Sequence, residues 1–426
     1  MPRIVVVGGG WAGCAAALAA RNAGAEVVLV ERTDCLLGTG LVGGIMRNNG
    51  RFTAAEEMIA MGGGDLFRLA DQVARHAGVE FPGHRHATLY DVALMEPTVR
   101  RYLLGQGVGL LMMARACDVE ATDGRLQAVV LADGERLEAD AFVEATGSAG
   151  PQANCRKYGN GCAMCVLRCP SWGGRVSIAA RAGIQEMMGR RPDGSIGAMS
   201  GSCKLHKDSV DPGIADELNR TGVAIVPIPQ ELIHAEKLAA KACQQYALAA
   251  FAENLVLLDT GHVKLMTSFY PLDELRRIPG MENARYEDPY AGGKGNSIRY
   301  LALSPRDDRM KVEGLDNLFC AGEKAGLLVG HTEAICTGTL AGHNAVRQAL
   351  SRPLVTIPRT TAVGEAIAFV REQMQTEDGM TKKYTFSGAV YLERMRELGT
   401  YTTDVELIRR RVEEAGFTGA FARDGI

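Results

Sequence analysis

The sequence predicts an α/β fold of the Rossmann type. Three observations carry that prediction. Residues 4–7 are an all-apolar run, Gly8–Gly13 is a glycine-rich turn directly after it, and an alanine-rich stretch over 11–23 leads into a second apolar run at 26–31. An all-apolar run suits a central parallel strand covered on both faces. Alanine favours helix. Strand, turn, helix and strand in this order make a βαβ unit.

The turn reads Gly8-Gly9-Gly10-Trp11-Ala12-Gly13 and fits G-x-G-x-x-G. Gly8 permits a tight turn, Gly10 lets backbone approach a pyrophosphate, and Gly13 lets the helix pack on the sheet. The free N–H groups and positive dipole end of the helix favour an anion there. Glu31 ends the second strand eighteen residues after Gly13, where a carboxylate can accept the ribose hydroxyls of an adenosine. Strand, loop, helix and terminal acid together predict a dinucleotide site.

The remaining elements follow in order. Residues 54–78 and 91–104 carry helical spacing. From Val108 to Val143 the pattern changes to short strands, with turns at Gly124 and Asp133-Gly134, a β-meander. Residues 315–350 return to strand, glycine-rich loop and helix, and 353–426 are mainly helical and charged. The expected division is 1–150 and 301–352 for a nucleotide-binding domain in two parts. An inserted α+β substrate domain occupies 151–300, and a helical C-terminal region occupies 353–426.

Bulk composition narrows the classes. The chain has 426 residues, 46% of them hydrophobic, enough for more than one core. A net charge of −3 provides no global basic field for a nucleic acid, although a local patch is compatible with it. The N-terminus lacks the order of a signal peptide, and apolar runs are broken well short of a membrane span. A cytoplasmic protein without a membrane partner is expected. Its eleven cysteines are then expected to be buried, metal-bound or reactive rather than a disulfide framework.

Further motifs resemble those of FAD-binding proteins. After Glu31 come Arg32 and glycines at 38, 40, 43 and 44, similar to the second glycine cluster that follows the flavin side of the pyrophosphate. Glu144-Ala145-Thr146-Gly147 resembles the A-T-G motif after the meander, in which Val119 lies. Asn317–Glu323, with Gly322 and Glu323 at its end, resembles the late turn whose acid meets the ribityl chain. The likeness implies FAD in a two-dinucleotide-binding, glutathione-reductase-like fold. It extends the expected contacts to Thr332 and Glu333.

The later motifs resemble a particular family. Asn317–Glu323, Gly330-His331-Thr332-Glu333-Ala334 and Gly338–Val346 look like the C-terminal FAD motif of the GidA family, which includes the tRNA-modifying MnmG and TrmFO. Ile278–Ala284 resembles that family's I-P-G-L-E-N-A. Thr361-Ala362-Val363-Gly364 resembles its T-A-L-G, and Arg168-Cys169-Pro170-Ser171 its R-Y-C-P-S. The resemblance implies non-covalent FAD and reduction by NAD(P)H. In the best-known members it also implies delivery of a one-carbon unit from methylenetetrahydrofolate to a tRNA uridine.

Cys155, Cys162, Cys165 and Cys169 form C-x6-C-x2-C-x3-C-P, close to the end of a ferredoxin run, with Gly159 where the first cysteine of that run would stand. Three readings stand open: a [4Fe-4S] cluster or zinc on the four thiolates, thiol chemistry at Cys162, Cys165 and Cys169, or buried packing. His331, in the late glycine loop, is a candidate proton donor or relay beside the flavin. His84-Arg85-His86 reads as an exposed loop. Lys204, His206 and Lys207, and the triplet Arg409-Arg410-Arg411, read as solvated surface.

The sequence therefore predicts an FAD-dependent oxidoreductase, most simply a homodimer. It would pass electrons between the cysteine cluster and FAD, with a small molecule or redox protein as partner. A folate-dependent RNA-modifying enzyme and a flavin-bearing binding protein without turnover are the alternatives.

Overall fold

The computed structural model describes residues 1–148, 172–196, 198–200, 203–240, 244–266, 270–287, 297–299 and 301–423. The four clustered cysteines at 155–169 lie outside the described residues.

At the centre is a five-stranded parallel sheet. Strand β1 (Arg3–Val7) is followed by helix α1 (Trp11–Asn22) and strand β2 (Glu26–Glu31). Strands β3 (Gly109–Met112), β4 (Ala141–Glu144) and β5 (Leu318–Cys320) complete it, and helix α2 (His331–Ala349) follows. The order is β5-β4-β1-β2-β3. β1 is buried on both faces, Ile4 to Val6 having no exposed surface, as its unbroken apolar run requires.

Helices α1 and α2 pack closely. A Cβ on Gly338 would lie 2.2 Å from the Ala12 carbonyl oxygen, and one on Gly342 2.1 Å from that of Ala16. The glycines of α2 thus face the small side chains of α1, and the alanine-rich composition of α1 serves this contact as well as helix propensity. Asn317 ties β5 to the meander. Its side chain donates to the carbonyls of Leu126 (2.9 Å) and Asp140 (3.1 Å) and accepts from the Leu126 N–H (2.9 Å).

The meander runs through strands 116–122, 125–131 and 136–138, with Val119 paired to Val129. The expected helix over 54–78 ends early. Helices cover Gly50–Ala60 and Asp65–Gln72, and from Ala74 the chain is a strand paired with His84–Tyr90. The expectation of an exposed loop at His84 is therefore corrected. His84 begins that second strand, is buried, and stacks on Phe81 with ring centroids 4.7 Å apart.

A four-stranded antiparallel sheet, order 203–205, 263–265, 254–259, 223–227, has its own apolar core with helix Pro212–Thr221. Ile278, Met281 and Ala284 of the I-P-G-M-E-N-A segment belong to that core. Its other face, through Val256, Leu258 and Met266, packs with Ile45, Phe81 and Leu89 of the nucleotide-binding body.

Helices Ala362–Gln373, Glu377–Thr381, Ala389–Glu397 and Val405–Glu414 close the chain. Thr361 caps the first by accepting from the Gly364 N–H at 3.0 Å. The buried Glu57 carboxylate takes the N–H groups of Ala362 and Val363 at 2.9 and 3.0 Å. The T-A-V-G segment is thus a helix start seated on an acid from the N-terminal part. Of the arginine triplet, Arg409 and Arg410 are exposed as expected, while Arg411 reaches Glu57 at 3.3 Å.

Candidate dinucleotide site

The site lies at the C-terminal edge of the parallel sheet, where the loop between β1 and α1 emerges. Gly8 has φ +103°, and a Cβ there would lie 2.4 Å from the Ala145 carbonyl oxygen. A Cβ on Gly13 would lie 1.8 Å from the Gly8 carbonyl oxygen, whereas around Gly10 there is open space. Gly8 and Gly13 are required by packing. Gly10, which caps α1, leaves room for a ligand at the helix N-terminus.

Glu31 is buried. It accepts from the Gly9 N–H at 2.8 Å, the Thr33 N–H at 2.8 Å and the Thr33 hydroxyl at 3.0 Å. It therefore holds the loop as well as standing where a ribose would be read.

The second glycine cluster is packed from four directions. A Cβ on Gly40 would meet the Trp11 indole at 2.3 Å, one on Gly43 the His331 ring at 2.0 Å, and one on Gly44 (φ +87°) the Thr260 methyl at 2.4 Å. Trp11 lies 5.9 Å from His331 and 6.2 Å edge-on from Tyr90, measured between ring centroids. The Tyr90 hydroxyl donates to the Gly40 carbonyl at 3.3 Å, and burial raises its pKa. Gly38 lies against Gly10, its Cβ position 3.6 Å from the Gly10 Cα. His331, Trp11 and the glycines thus converge on one locus, to which sequence reasoning had not assigned Tyr90.

The four-stranded antiparallel sheet also reaches this locus. Lys204 and Lys264 are directly opposed across strands. Lys264 donates to the Val42 carbonyl at 2.7 Å and Lys204 to that of Leu41 at 3.4 Å. The expectation of solvated surface is corrected at Lys204 and Lys207, while the His206 side chain stays 42% exposed. His206 lies 3.2 Å from Glu287, and Lys207 donates to buried Asp259 at 2.7 Å. The spacing of 204–207 could not reveal this, because the partners come from the glycine loop and from strands far away in sequence.

The remaining predicted residues divide into two groups. Ala145, Thr146 and Gly147 follow β4, with Gly147 at φ +73°, and abut the glycine loop through Ala145. Glu323 accepts a hydrogen bond from Ser148, and Gly322 donates its N–H to Thr337 at 2.9 Å. Thr332 and Glu333 are fully buried. Glu333 accepts from Arg51 Nε at 3.0 Å, the Thr385 hydroxyl at 2.6 Å and the Phe386 N–H at 2.9 Å. Its carboxylate ties the start of α2 to the N- and C-terminal parts of the chain.

A buried charged cluster lies beside Thr146. Glu144 accepts from the Thr146 hydroxyl at 2.8 Å and from the N–H groups of Ile178 and Ala179 at 3.2 and 2.9 Å. Lys324, next to Glu323, contacts Glu186, donates to Ser177 Oγ at 2.8 Å, and lies 3.7 Å from Glu144. Burial pulls its pKa down to about 8 against the attraction of Glu144. Arg175 completes the group. No motif singled out Lys324.

Among the described residues no group of three or more His, Cys, Asp or Glu could hold a metal, and no helix is long and apolar enough to cross a membrane. Cys14 is buried, with its thiol on the Gly9 carbonyl at 3.4 Å, as packing predicts. Cys35 is half-buried.

A glycine loop without side chains, an anion-attracting helix end and an acid at the end of β2 define a Rossmann-type dinucleotide-binding protein. The chain matches the family described as Glucose inhibited division protein A over residues 3–227 and 252–353. It belongs to that GidA family. Its fold is that of GidA from Aquifex aeolicus in the form II crystal. The two superpose with a TM-score of 0.65 at 16% identity, covering 97% of this chain and 76% of that one.

A methylenetetrahydrofolate–tRNA-(uracil-5-)-methyltransferase TrmFO from Dinoroseobacter shibae is 37% identical over 93 residues, 22% of this chain and 20% of that relative. The tRNA uridine 5-carboxymethylaminomethyl modification enzyme MnmG from Chlorobaculum tepidum is 38% identical over 90 residues, 21% of this chain and 14% of that relative. The chain thus aligns with about a fifth of the length of these curated relatives or less.

Proposed function

We propose that this protein is an FAD-dependent flavoenzyme that modifies a uridine in tRNA, with NAD(P)H as reductant and methylenetetrahydrofolate as one-carbon donor. The carrying observation is the family match over residues 3–227 and 252–353, which takes in the segments that build the nucleotide site. The activities that the TrmFO and MnmG relatives are named for supply the substrate class. Net charge argues only against a global basic field. The electron-transfer reading through an iron-sulfur cluster gains no support from the relatives.

The residues present fit FAD. The cradle at Gly10 is open, and two nitrogens of Arg175 are buried donors without acceptors among the described residues at the same sheet edge. Gly8–Gly13, Glu31 and Arg32 would hold the adenosine and pyrophosphate, with Ala145–Gly147 alongside. Gly38–Gly44, Glu323, Thr332 and His331 would border the ribityl and flavin side. Bound there, FAD supplies two-electron chemistry. The chain's own part is position and exclusion of water. Tyr90, Trp11 and His331 fix the glycine cluster, while Lys204 and Lys264 draw the inserted sheet over it. His331, at the start of α2, is the group proposed to hold or pass a proton. We assign 151–300 as the substrate-side insertion in the nucleotide-binding domain.

The test is purification without added flavin, anaerobic reduction by NADPH, and mass spectrometry of tRNA nucleosides from a deletion strain. Bound FAD, its reduction and loss of one 5-substituted uridine are expected. A reducible flavin with unchanged tRNA would overturn the RNA assignment. Absorption near 400 nm beyond the flavin bands, together with iron, would restore the cluster reading.

A further inference from the structure

The turn Trp172-Gly173-Gly174-Arg175 is gripped by two arginines. Arg32 Nη1 donates to the Gly173 carbonyl at 2.5 Å, and Arg115 Nε to that of Gly174 at 2.9 Å. Gly173 has φ +77°, and a Cβ there would strike Arg115 at 2.7 Å. The turn directs Arg175 inward, where only 5% of its surface remains exposed. Arg175 Nη1 donates to the Thr146 hydroxyl at 3.2 Å. Nη2 lies 3.9 Å from Glu186, beyond hydrogen-bond reach, and Nε and Nη2 have no acceptor among the described residues.

A buried donor left unmade costs about 1–3 kcal/mol, more when it is charged. Such a group is expected to have a partner. Among the described residues the charges around it give no other partner. Glu144 is occupied by Thr146 and two backbone N–H groups, and Glu186 is in contact with Lys324. Burial holds the Arg175 pKa below its usual value in spite of Glu144, and Arg32, from the end of β2, is near enough to add repulsion. Two guanidinium groups therefore gather at one end of the strands. Thr146, which holds Arg175, adjoins Ala145, whose carbonyl touches Gly8. Glu31, adjacent to Arg32, holds Gly9.

We propose that Arg175 is a pyrophosphate-clamping residue of the cofactor site, its Nε and Nη2 taking oxygens of the dinucleotide's diphosphate, with Arg32 adding charge. The glycine loop supplies N–H groups and a dipole but no cation. A diphosphate carries two negative charges, and a guanidinium fork matches its oxygens. The inference rests on the FAD reading for which dinucleotide is bound. The diphosphate chemistry alone does not separate FAD from a nicotinamide dinucleotide.

The test measures affinity in the full chain stripped of flavin, for FAD, ADP, NADPH and riboflavin. Arg175→Met removes the charge. Arg175→Lys retains it and keeps the balance with Glu144 and Glu186, so it remains informative if the methionine variant does not fold. Thermal unfolding of each flavin-free variant reports structure separately. Loss of a charge-assisted bidentate contact is expected to weaken FAD and ADP by the same factor, about ten- to a hundredfold. Arg175→Lys should fall between wild type and Arg175→Met, and riboflavin, which lacks the diphosphate, should be unaffected. Weakening of NADPH with FAD unchanged would move the clamp to the nicotinamide dinucleotide and overturn the assignment to FAD. Unchanged FAD and ADP affinities in Arg175→Lys, with lower stability, would make Arg175 a strut of the buried cluster and sink the inference. Failure of wild type to bind FAD would instead refute the cofactor reading.

Discussion

Replacing Glu333 by glutamine tests whether its buried ion pair joins the start of α2 to the two ends of the chain. Arg51 and Glu333 are buried, with side-chain exposures of 6% and 0%, and Arg51 Nε lies 3.0 and 3.1 Å from the two carboxylate oxygens. The Thr385 hydroxyl and the Phe386 N–H also donate to Oε1. The glutamine keeps the shape but leaves a buried guanidinium facing a neutral amide. Breaking one side of a buried pair costs about 3–5 kcal/mol. Removing both charges with Arg51→Met and Glu333→Gln together should cost much less than the sum of the single changes, because no uncompensated ion is left. The assay is denaturant unfolding of the four members of this cycle, followed by a signal from the C-terminal helices. A cost for Glu333→Gln below about 1 kcal/mol, the level of an exposed pair, would refute the reasoning. So would strict additivity in the double variant. The single variant should also release FAD more readily, since His331 stands two residues before Glu333.

Three further outcomes are expected. Gly13→Ala would place a Cβ 1.8 Å from the Gly8 carbonyl oxygen, so the purified protein should emerge colourless or misfolded. Flavin content per chain checks this, and wild-type content would contradict it. His84 is held near pKa 3 by burial, with its Nε2 side on the Gln245 carbonyl at 3.2 Å. An unfolded histidine takes its proton near 6.5. The native state resists that proton, so His84 stabilises the fold above about 6.5. That stability falls by about 1.4 kcal/mol per pH unit as pH drops toward 3. His84→Gln should flatten this slope in unfolding measured from pH 7 to 4, and an unchanged slope would remove His84 as its source. At Asp259, burial raises the carboxyl pKa, but hydrogen bonds from Lys207, His76 and Arg75 outweigh it and hold the group below its usual value. Its stabilisation is present above the unfolded carboxyl pKa, about 4, and is lost as pH falls through the lower folded value. Asp259→Asn should cost about 3–5 kcal/mol at neutral pH and abolish that acid-side loss, checked by urea unfolding at pH 7 and pH 3.

The nucleotide half of the molecule was legible because its signals are local. The run Ile4–Val7, the glycines at 8, 10 and 13, and Glu31 each have a meaning within a few residues along the chain. The hairpin at Asp123-Gly124 is similar: its φ values of +51° and +76° are those its turn residues favour. The reading of His84 as loop failed because a histidine between a Pro-Gly turn and an apolar run looks exposed until Phe81, Asn48 and Tyr246 enclose it. Several family-like motifs proved to have structural work: Asn317 bridges strand and meander, and Gly364 lets a helix begin against the Pro358 carbonyl.

The sequence by itself determined a parallel-sheet dinucleotide fold and its glycine loop, since each depends on periodicity and short-range spacing, and the resemblance of its motifs pointed to the family. Only tertiary structure decided what surrounds that loop. It buried Lys324 and Arg175, set Lys204 and Lys264 on the glycine cluster, and turned Glu333 toward Arg51. These groups lie tens to hundreds of residues from their partners. A charged side chain reads as surface until folding removes water from it, and burial then makes its pairing, and the unfilled donors of Arg175, the deciding facts.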